Sequence, residues 1–324
     1  MITGWQPTCS LQQLQARANL LQKIRVFFAD RNVLEVETPL LCQSTGTDPN
    51  LDFFSTQYRS GSQSQTYYLQ TSPEFCMKRL LAAGSGSIYQ ISKAFRNGES
   101  GRYHNPEFSL LEWYRIDFDL QQLMDEVAQL LQYLLAPLKP EVECISYTEV
   151  FRQYTELDPL NFSVQSYIEC AKSNNLDDAE VICAENHSMW LDFLFSFLVQ
   201  PQLGKQSICM VFDYPACQSS LARVKIEDQR LVERAEIFVN GVELGNGYYE
   251  LTDPVEQQQR FDFERELRKQ KGLCIPDIDK QFLNAIKAGL PDCSGMAIGL
   301  DRLMMLTTNS NTIDQVLAFP VDHV

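Results

Sequence analysis

The sequence is poor in the groups that organise metal-stapled or secreted folds. It has three His in 324 residues, and none of its ten Cys forms a C-x-x-C pair, which argues against a structural zinc site. Disulfide scaffolds belong mainly to short secreted chains. Here the cysteines sit among apolar neighbours, as in Leu41-Cys42, Ile182-Cys183 and Ile208-Cys209. No apolar run approaches the roughly 20 residues of a membrane span. The longest, Trp190–Val199, carries Asp192 and reads as a buried helix. Met1–Cys9 has no basic residue followed by an apolar block, so no signal peptide is visible and a reducing cytoplasm is the expected compartment. Positive charge is scarce too: 27 Lys+Arg against 42 Asp+Glu leave a net charge of −15, which disfavours non-specific nucleic-acid binding. Three common nucleotide signatures are missing: the Walker Gly-x-x-x-x-Gly-Lys, an early Gly-x-Gly-x-x-Gly and the kinase catalytic loop.

What is present is an ordinary globular composition, 44% hydrophobic and 11% aromatic, with ample length for a core. Leu14, Ala18, Leu21, Ile24 and Phe28 recur at helical spacing over Leu11–Asp30. Val33–Thr38 alternates as a strand that Pro39 stops. Ser72-Pro73-Glu74 predicts a helix start, with Ser at N-cap and Pro at N1, running to Gly84. Strands are predicted at Ile88–Arg96, Phe108–Tyr114 and Ile208–Tyr214, and an amphipathic helix at Leu120–Leu135. Residues 141–206 read as mostly helical. Asn240-Gly241 between Ala235–Val239 and Val242–Leu244 is a strong hairpin signal. Helices follow at Gln257–Lys271 and Lys280–Gly289, then a strand-to-helix transition at Met296–Leu306. Strands lie early and late without βαβ alternation, which predicts an α+β fold around a largely antiparallel sheet.

Three constellations carry possible chemistry. A two-residue hairpin turn places Phe238 opposite Glu243, so Glu236 shares a face with Glu243 as its diagonal neighbour. Two carboxylates so placed repel unless a cation lies between them, and Mg²⁺ shared with phosphates suits them. Two solvated surface glutamates would look the same, but the Gly-rich, aromatic run Leu244–Glu250 that follows is unlike surface filler. Glu250, beside two tyrosines, can seat an ammonium group. The second constellation is Phe95-Arg96, a polar loop with Glu99, Arg102 and His104, and then Phe108, Glu112 and Tyr114. Its arginines can clamp phosphate, Phe108 can stack a base, and a glutamate on an apolar strand face needs a cationic partner. A charged hairpin loop over an aromatic strand is the plainer reading of the same residues. The third is Gly295–Arg302, where Arg302 near a helix start is electrostatically misplaced unless an anion binds nearby. His187 and His323 are read as structural or solvent-exposed.

Together these motifs resemble class II aminoacyl-tRNA synthetase catalytic domains, specifically the lysyl type. Arg31–Leu41 is similar to the family's first, dimer-forming motif, and Thr71–Glu74 with Lys78-Arg79-Leu80 to its amino-acid segment. Phe95-Arg96-Asn97 through His104–Phe108 to Glu112-Trp113-Tyr114 resembles the second motif. Glu243–Gly247, Glu250–Asp253 and Gly299–Arg302 complete the set, which spans nearly the whole chain. The resemblance implies a single catalytic domain over residues 1–324, a mixed, mainly antiparallel sheet flanked by helices, and a homodimer. It implies catalytic roles for Arg96 on the α-phosphate and Arg302 on the γ-phosphate. Phe108 would stack adenine, Asn97, Gly98, Asn105, Leu244 and Gly299 would line the ATP site, and Glu236 and Glu243 would hold Mg²⁺. Ser72, Pro73, Glu74, Glu112, Tyr114, Glu250 and Ala297 would bind the amino acid, Glu74 taking an amino group and Glu250 with Tyr114 the side-chain ammonium.

About thirty residues precede the first motif, so the expectation is a chain without the OB-fold that reads the anticodon in lysyl-tRNA synthetases. Within the family, Gly101-Arg102-Tyr103-His104 is similar to the stand-alone paralogues that activate (R)-β-lysine with ATP and join it to a lysine of elongation factor P. That reading makes elongation factor P the partner in place of tRNA. A truncated enzyme charging tRNA and a non-catalytic amino-acid-binding relative are the alternatives. Three departures from the lysyl pattern stand out: Ala297 in place of Gly, Gly98 in place of Glu with Glu99 adjacent, and Arg102 one residue early.

Overall fold

The computed structural model describes residues 4–136 and 140–324, and the chain forms two compact units. The first comprises Met1–Asp117 and Thr252–Val324, the second Phe118–Leu251.

In the first unit, α1 (Leu11–Ala29) begins at a capping box in which Ser10 and Gln13 satisfy each other's backbone. Its buried residues are Leu20, Ile24, Phe27 and Phe28, whereas Leu14 is exposed. The predicted strand at 33–38 shortens to β1 (Leu34–Glu35), because only Leu34 and Glu35 find ladder partners. A small antiparallel sheet is built from β2 (Leu41–Cys42), β3 (Ser55–Ser60) and β4 (Gln63–Leu69). The next helix, α2 (Glu74–Ala82), starts one residue later than predicted: Pro73 is its N-cap, and Ser72 Oγ accepts from Glu74 N at 3.0 Å.

The main strands of this unit are β5 (Ile88–Phe95), β6 (Glu107–Ile116) and β11 (Cys293–Gly299). β6 pairs antiparallel with both others, and β1 joins β5 in parallel, so the row is mixed. Alternation gives it two distinct faces. One presents Tyr89 and Trp113 to Phe28 of α1, with Phe28 stacked on Tyr89 at 4.5 Å. The other carries Ile88, Gln90, Ser92 and Ala94 of β5 beside Tyr114, Glu112, Leu110 and Phe108 of β6. On β11 that second face bears only Gly295, Ala297 and Gly299. On this face β11 therefore sets only small residues beside Glu112 and Tyr114. Helices α8 (Pro254–Gln270), α9 (Lys280–Gly289) and α10 (Leu300–Thr308) complete the unit.

The second unit begins with α3 (Leu120–Leu134), which starts at an Asp119–Gln122 capping box. The segment from 141 opens on a strand, β7 (Glu141–Ser146), which pairs in parallel with β8 (Ser207–Pro215); helices follow from Tyr147. The alternation of Glu141–Ser146 is masked by charged residues on an exposed edge. Between these strands lie α4 (Tyr147–Thr155), α5 (Val164–Ser173), α6 (Ala179–Cys183) and α7 (His187–Leu194), which pack an aromatic core around Tyr147, Phe151, Trp190 and Phe195. β9 (Leu231–Val239) pairs with β8 and with β10 (Val242–Tyr249). The Asn240-Gly241 turn has φ of 52° and 73°, the doubly positive geometry that makes Asn-Gly the preferred pair. No helix among the described residues is long and apolar enough to cross a membrane, and all ten cysteines are free.

Candidate active site

In the first unit, one cluster gathers acidic groups on the open face. Glu112 is buried at 2% exposure and Tyr114 hydroxyl donates to its Oε1 at 2.7 Å. The cross-strand partners of Glu112 are Gln90 on one side and Ala297 on the other. Lys78 is buried on α2 and donates to Glu74 Oε1 at 2.6 Å. Burial, reinforced by the negative charge of Glu74, pushes the Glu112 carboxyl up to about 8, while Tyr114, Lys78 and Ser72 act in the opposite sense. Glu112 is therefore a neutral acid at neutral pH until a cation arrives. Ser72, Glu74, Glu112, Tyr114 and Ala297 come together here as the sequence implied; Pro73 contributes by ending the approach to α2. Lys78 is a member that sequence reasoning quoted only as part of a motif. Its i,i+4 spacing from Glu74 was the available signal.

The second cluster is the phosphate-binding candidate. Arg96 follows β5, and its backbone donates to Pro106 O at 2.9 Å. Its guanidinium lies 5.1 Å from the Phe108 ring centroid and 3.6 Å from Glu99. Arg96 Nε is buried with no hydrogen-bond partner among the described residues. Gly98 has φ +78°, so this turn favours glycine, and the neighbouring Glu99 turns back to Arg96. Asn97 donates to Asp52 Oδ2 at 2.8 Å and through its backbone to Asp52 O at 3.1 Å. The 48–52 loop is in turn fixed by Arg268, a fully buried guanidinium on α8 that donates to the carbonyls of Asp48 (2.7 Å), Leu51 (3.1 Å) and Cys274.

Arg302 opens α10 after Gly299. It contacts His104 Nε2 at 2.6 Å and donates to Tyr103 O at 3.3 Å. Burial first, and then the Arg302 charge, keep His104 below its ordinary pKa, so its ring is neutral and accepts from the guanidinium. The preceding Asp301 is buried between Arg17 Nη1 (2.6 Å) and Ser109 N (2.8 Å), and Arg17 also reaches Ser109 Oγ at 2.8 Å. This three-way clamp sets the start of α10 and was not legible in the sequence, because its members are far apart along the chain.

Two residues of the second constellation also serve the fold. Arg102 donates to Asn311 O at 2.9 Å and lies over Tyr103, which gives it a structural task. Asn105 is buried, donating to Glu107 O at 2.6 Å and accepting from Val321 N at 2.9 Å; its amide is spent on backbone. Asn105 also borders a cavity of about 560 Å³ lined by Phe54, Leu69, Lys93, Phe95 and Leu317. Lys93 and Phe95 lie on the opposite sheet face from Phe108 and Glu112, so this cavity is separate from the acidic cluster.

In the second unit, Val242 faces Val239 and Glu243 faces Phe238 as the hairpin rule predicts. A bulge then intervenes at Leu244, so Gly245 faces Ile237 and Glu236 faces Asn246. The step from Glu243 to Asn246, the partner of Glu236, is therefore three residues on β10 against two on β9. Glu236 accepts from Tyr214 hydroxyl at 2.7 Å and pairs with Arg234. Glu250 is 1% exposed, and its backbone pairs with Ala222. His187 stacks on Phe162 at 4.5 Å and His323 is exposed, as expected of residues outside a site.

These motifs have a counterpart among known proteins. The class II tRNA synthetase family (D, K and N) matches residues 7–323, and the chain belongs to it. Within that family it is 46% identical, over 324 residues covering 99% of each chain, to the elongation factor P–(R)-β-lysine ligase of Haemophilus influenzae (strain PittGG).

Proposed function

We propose that this protein activates (R)-β-lysine with ATP and transfers it to a lysine ε-amino group of elongation factor P. The observation that carries the reading is the identity to a ligase of that name along 99% of both chains. The acidic cluster of the first unit supports it: a diamine brings ammonium groups, and Glu74 and Glu112 are acids half-buried and buried where they can meet one.

Adenylation needs no protein base. The ionised substrate carboxylate attacks the α-phosphorus of ATP, the α–β bridging oxygen leaves with pyrophosphate, and a mixed anhydride with AMP remains. The protein's contribution is placement and charge neutralisation. Arg96, with a buried unpartnered Nε over Phe108, is suited to the α-phosphate and adenine end. Arg302 is suited to the γ-phosphate, with His104 orienting its guanidinium. In the second half-reaction the acceptor amine attacks the anhydride carbonyl and AMP leaves.

Among the described residues no three His, Cys, Asp or Glu side chains group as a metal cage. Mg²⁺ carried by phosphates takes only one or two protein carboxylates, and Glu243 with Glu236 on adjacent strands meets that need. When bound, the ion would neutralise phosphate charge. Asn97, Gly98, Leu244 and Gly299 remain ATP-site proposals on the family pattern. So does the homodimer, which exposed Leu34 and Leu41 in the first motif favour. One catalytic domain and a cytoplasmic location complete this reading.

The test is ATP–pyrophosphate exchange with (R)-β-lysine and α-lysine in parallel, followed by transfer to elongation factor P or tRNA. Faster exchange with β-lysine and label on elongation factor P is expected. Preference for α-lysine with label on tRNA, or no exchange with either, would overturn the assignment.

A further inference from the structure

On α2 the spacing of Glu74, Lys78 and Leu81 puts the three on one helix face, and Lys78 and Leu81 are among the buried residues of that helix. Lys78 is 1% exposed, and its Nζ donates to Glu74 Oε1 at 2.6 Å. The Phe282 ring of α9 lies 5.9 Å from the same nitrogen. The charge of Lys78 also reaches Glu112 on β6, where it opposes the effect of burial. One protein ammonium is thus set among the acids that a substrate amine has to meet.

Stability does not account for this lysine. The cost of desolvating two charges offsets most of their attraction, so an ion pair taken largely out of water adds little that an apolar pair of the same volume would not. The surroundings would suit such an apolar pair: Met77 and Leu81 are buried on the same helix, and Phe75 stacks on Phe282 at 4.3 Å. What the ion pair supplies is fixation. A glutamate side chain free of partners samples several rotamers. Here Glu74 is held at both ends, its backbone N donating to Ser72 Oγ at 3.0 Å and its Oε1 engaged by Lys78. An incoming ammonium then finds the carboxylate already placed, without the ordering cost that a loose side chain would add. Lys78 also sets the charge of the cluster. With Glu74 and Glu112 both ionised, two carboxylates and one ammonium leave a single negative charge, which one substrate ammonium neutralises.

We propose that Lys78 is a positioning residue for amino-acid binding, holding the Glu74 carboxylate to receive a substrate ammonium and limiting the cluster to one such group. The second ammonium of a diamine is then met outside this cluster. The inference rests on the reading of Glu74 and Glu112 as part of the amino-acid site.

The experiment is a double-mutant cycle on ATP–pyrophosphate exchange with (R)-β-lysine, using the full chain with Lys78→Met, Glu74→Gln and the two together. Lys78→Met, which keeps the length of the side chain, should raise the KM for β-lysine about tenfold while kcat and the KM for ATP stay within about threefold. Glu74→Gln should raise the KM for β-lysine by itself, and adding Lys78→Met to it should change nothing further, because the lysine acts through the carboxylate. Melting temperatures report folding separately. Should Lys78→Met fail to fold, Lys78→Gln, which keeps a donor and removes the charge, takes its place in the cycle with the same expected pattern. A Lys78 effect of full size in the Glu74→Gln background, as a merely structural lysine would give, would overturn the inference. So would a wild-type KM in Lys78→Met alongside a raised one in Glu74→Gln. A wild-type KM in Glu74→Gln would overturn the placement of the amino acid at this cluster, and the inference with it.

Discussion

Binding of a diamine to this protein should expel a proton from Glu112. In the free protein Glu112 is buried, faces the charge of Glu74 and titrates near 8, so at pH 7 about nine molecules in ten carry the protonated acid. An ammonium docking against it reverses the balance, since a nearby cation favours the carboxylate. If the ligand brings the pKa back to about 5, binding at pH 7 releases about 0.9 proton. Calorimetric titration with (R)-β-lysine in phosphate and in Tris, whose ionisation enthalpies differ, measures that number directly. The same linkage makes affinity pH-dependent. The penalty for removing the proton before binding is about 1.4 kcal/mol per pH unit below 8, so the dissociation constant should fall about 50-fold between pH 6 and pH 8 and then level. Glu112→Gln, which keeps shape and stays neutral, should abolish both the proton release and the slope, and weaken binding most at pH 8. For stability the sign is opposite. A carboxyl whose folded pKa is raised stabilises the fold fully below its unfolded value, and that contribution is lost as pH rises through about 8. Binding that releases no proton in either buffer, or a Glu112→Gln variant with the wild-type pH slope, would refute this account.

Other consequences are as direct. Glu243→Ala should remove ATP–pyrophosphate exchange without changing the melting temperature by more than a few degrees; a variant exchanging at the wild-type rate would remove Glu243 as a metal ligand. Ala297→Gly deletes the methyl group opposite Glu112 and should shift the ratio of kcat/KM values toward α-lysine by about tenfold, within the ~1–3 kcal/mol range for one methylene. An unchanged ratio would take Ala297 out of the specificity argument. Asp301→Ala breaks the clamp with Arg17 and Ser109 and should cost about 2–4 kcal/mol by denaturant titration, since a buried donor set loses its acceptor. Its KM for ATP should rise as well, because Arg302 is the next residue.

Elements with local signals were legible in the sequence. The helical spacing over Leu11–Asp30, the amphipathic helix at Leu120–Leu135, the doubly left-handed Asn240-Gly241 turn and the strands β5 and β6 all rest on residues inside the element they determine. The motif residues of the first unit also gather as expected, because alternation along β6 puts Phe108, Glu112 and Tyr114 on one face. What escaped was set by distant partners. The bulge at Leu244 is decided by the strand opposite, and no local pattern announces it. Val33–Thr38 alternates well, yet only two of its residues find a ladder. The tie of Asn105 to Glu107 and to Val321, the latter 216 residues away, has no local signal either. The Arg17–Asp301–Ser109 clamp is invisible for the same reason.

Arg268 shows what such distance means for heredity. Three carbonyls converge on one planar fork, a geometry that a lysine's single nitrogen cannot reproduce. Through Asp52 that fork keeps Asn97 in place at the start of the second motif. A substitution at 268 would leave every recognisable motif intact to a reader of the sequence while loosening the catalytic loop. Lineages of this fold that inherit the motifs but not the arginine should have replaced the fork by another rigid tie, and those that have not should show rapid amide exchange at Asn97.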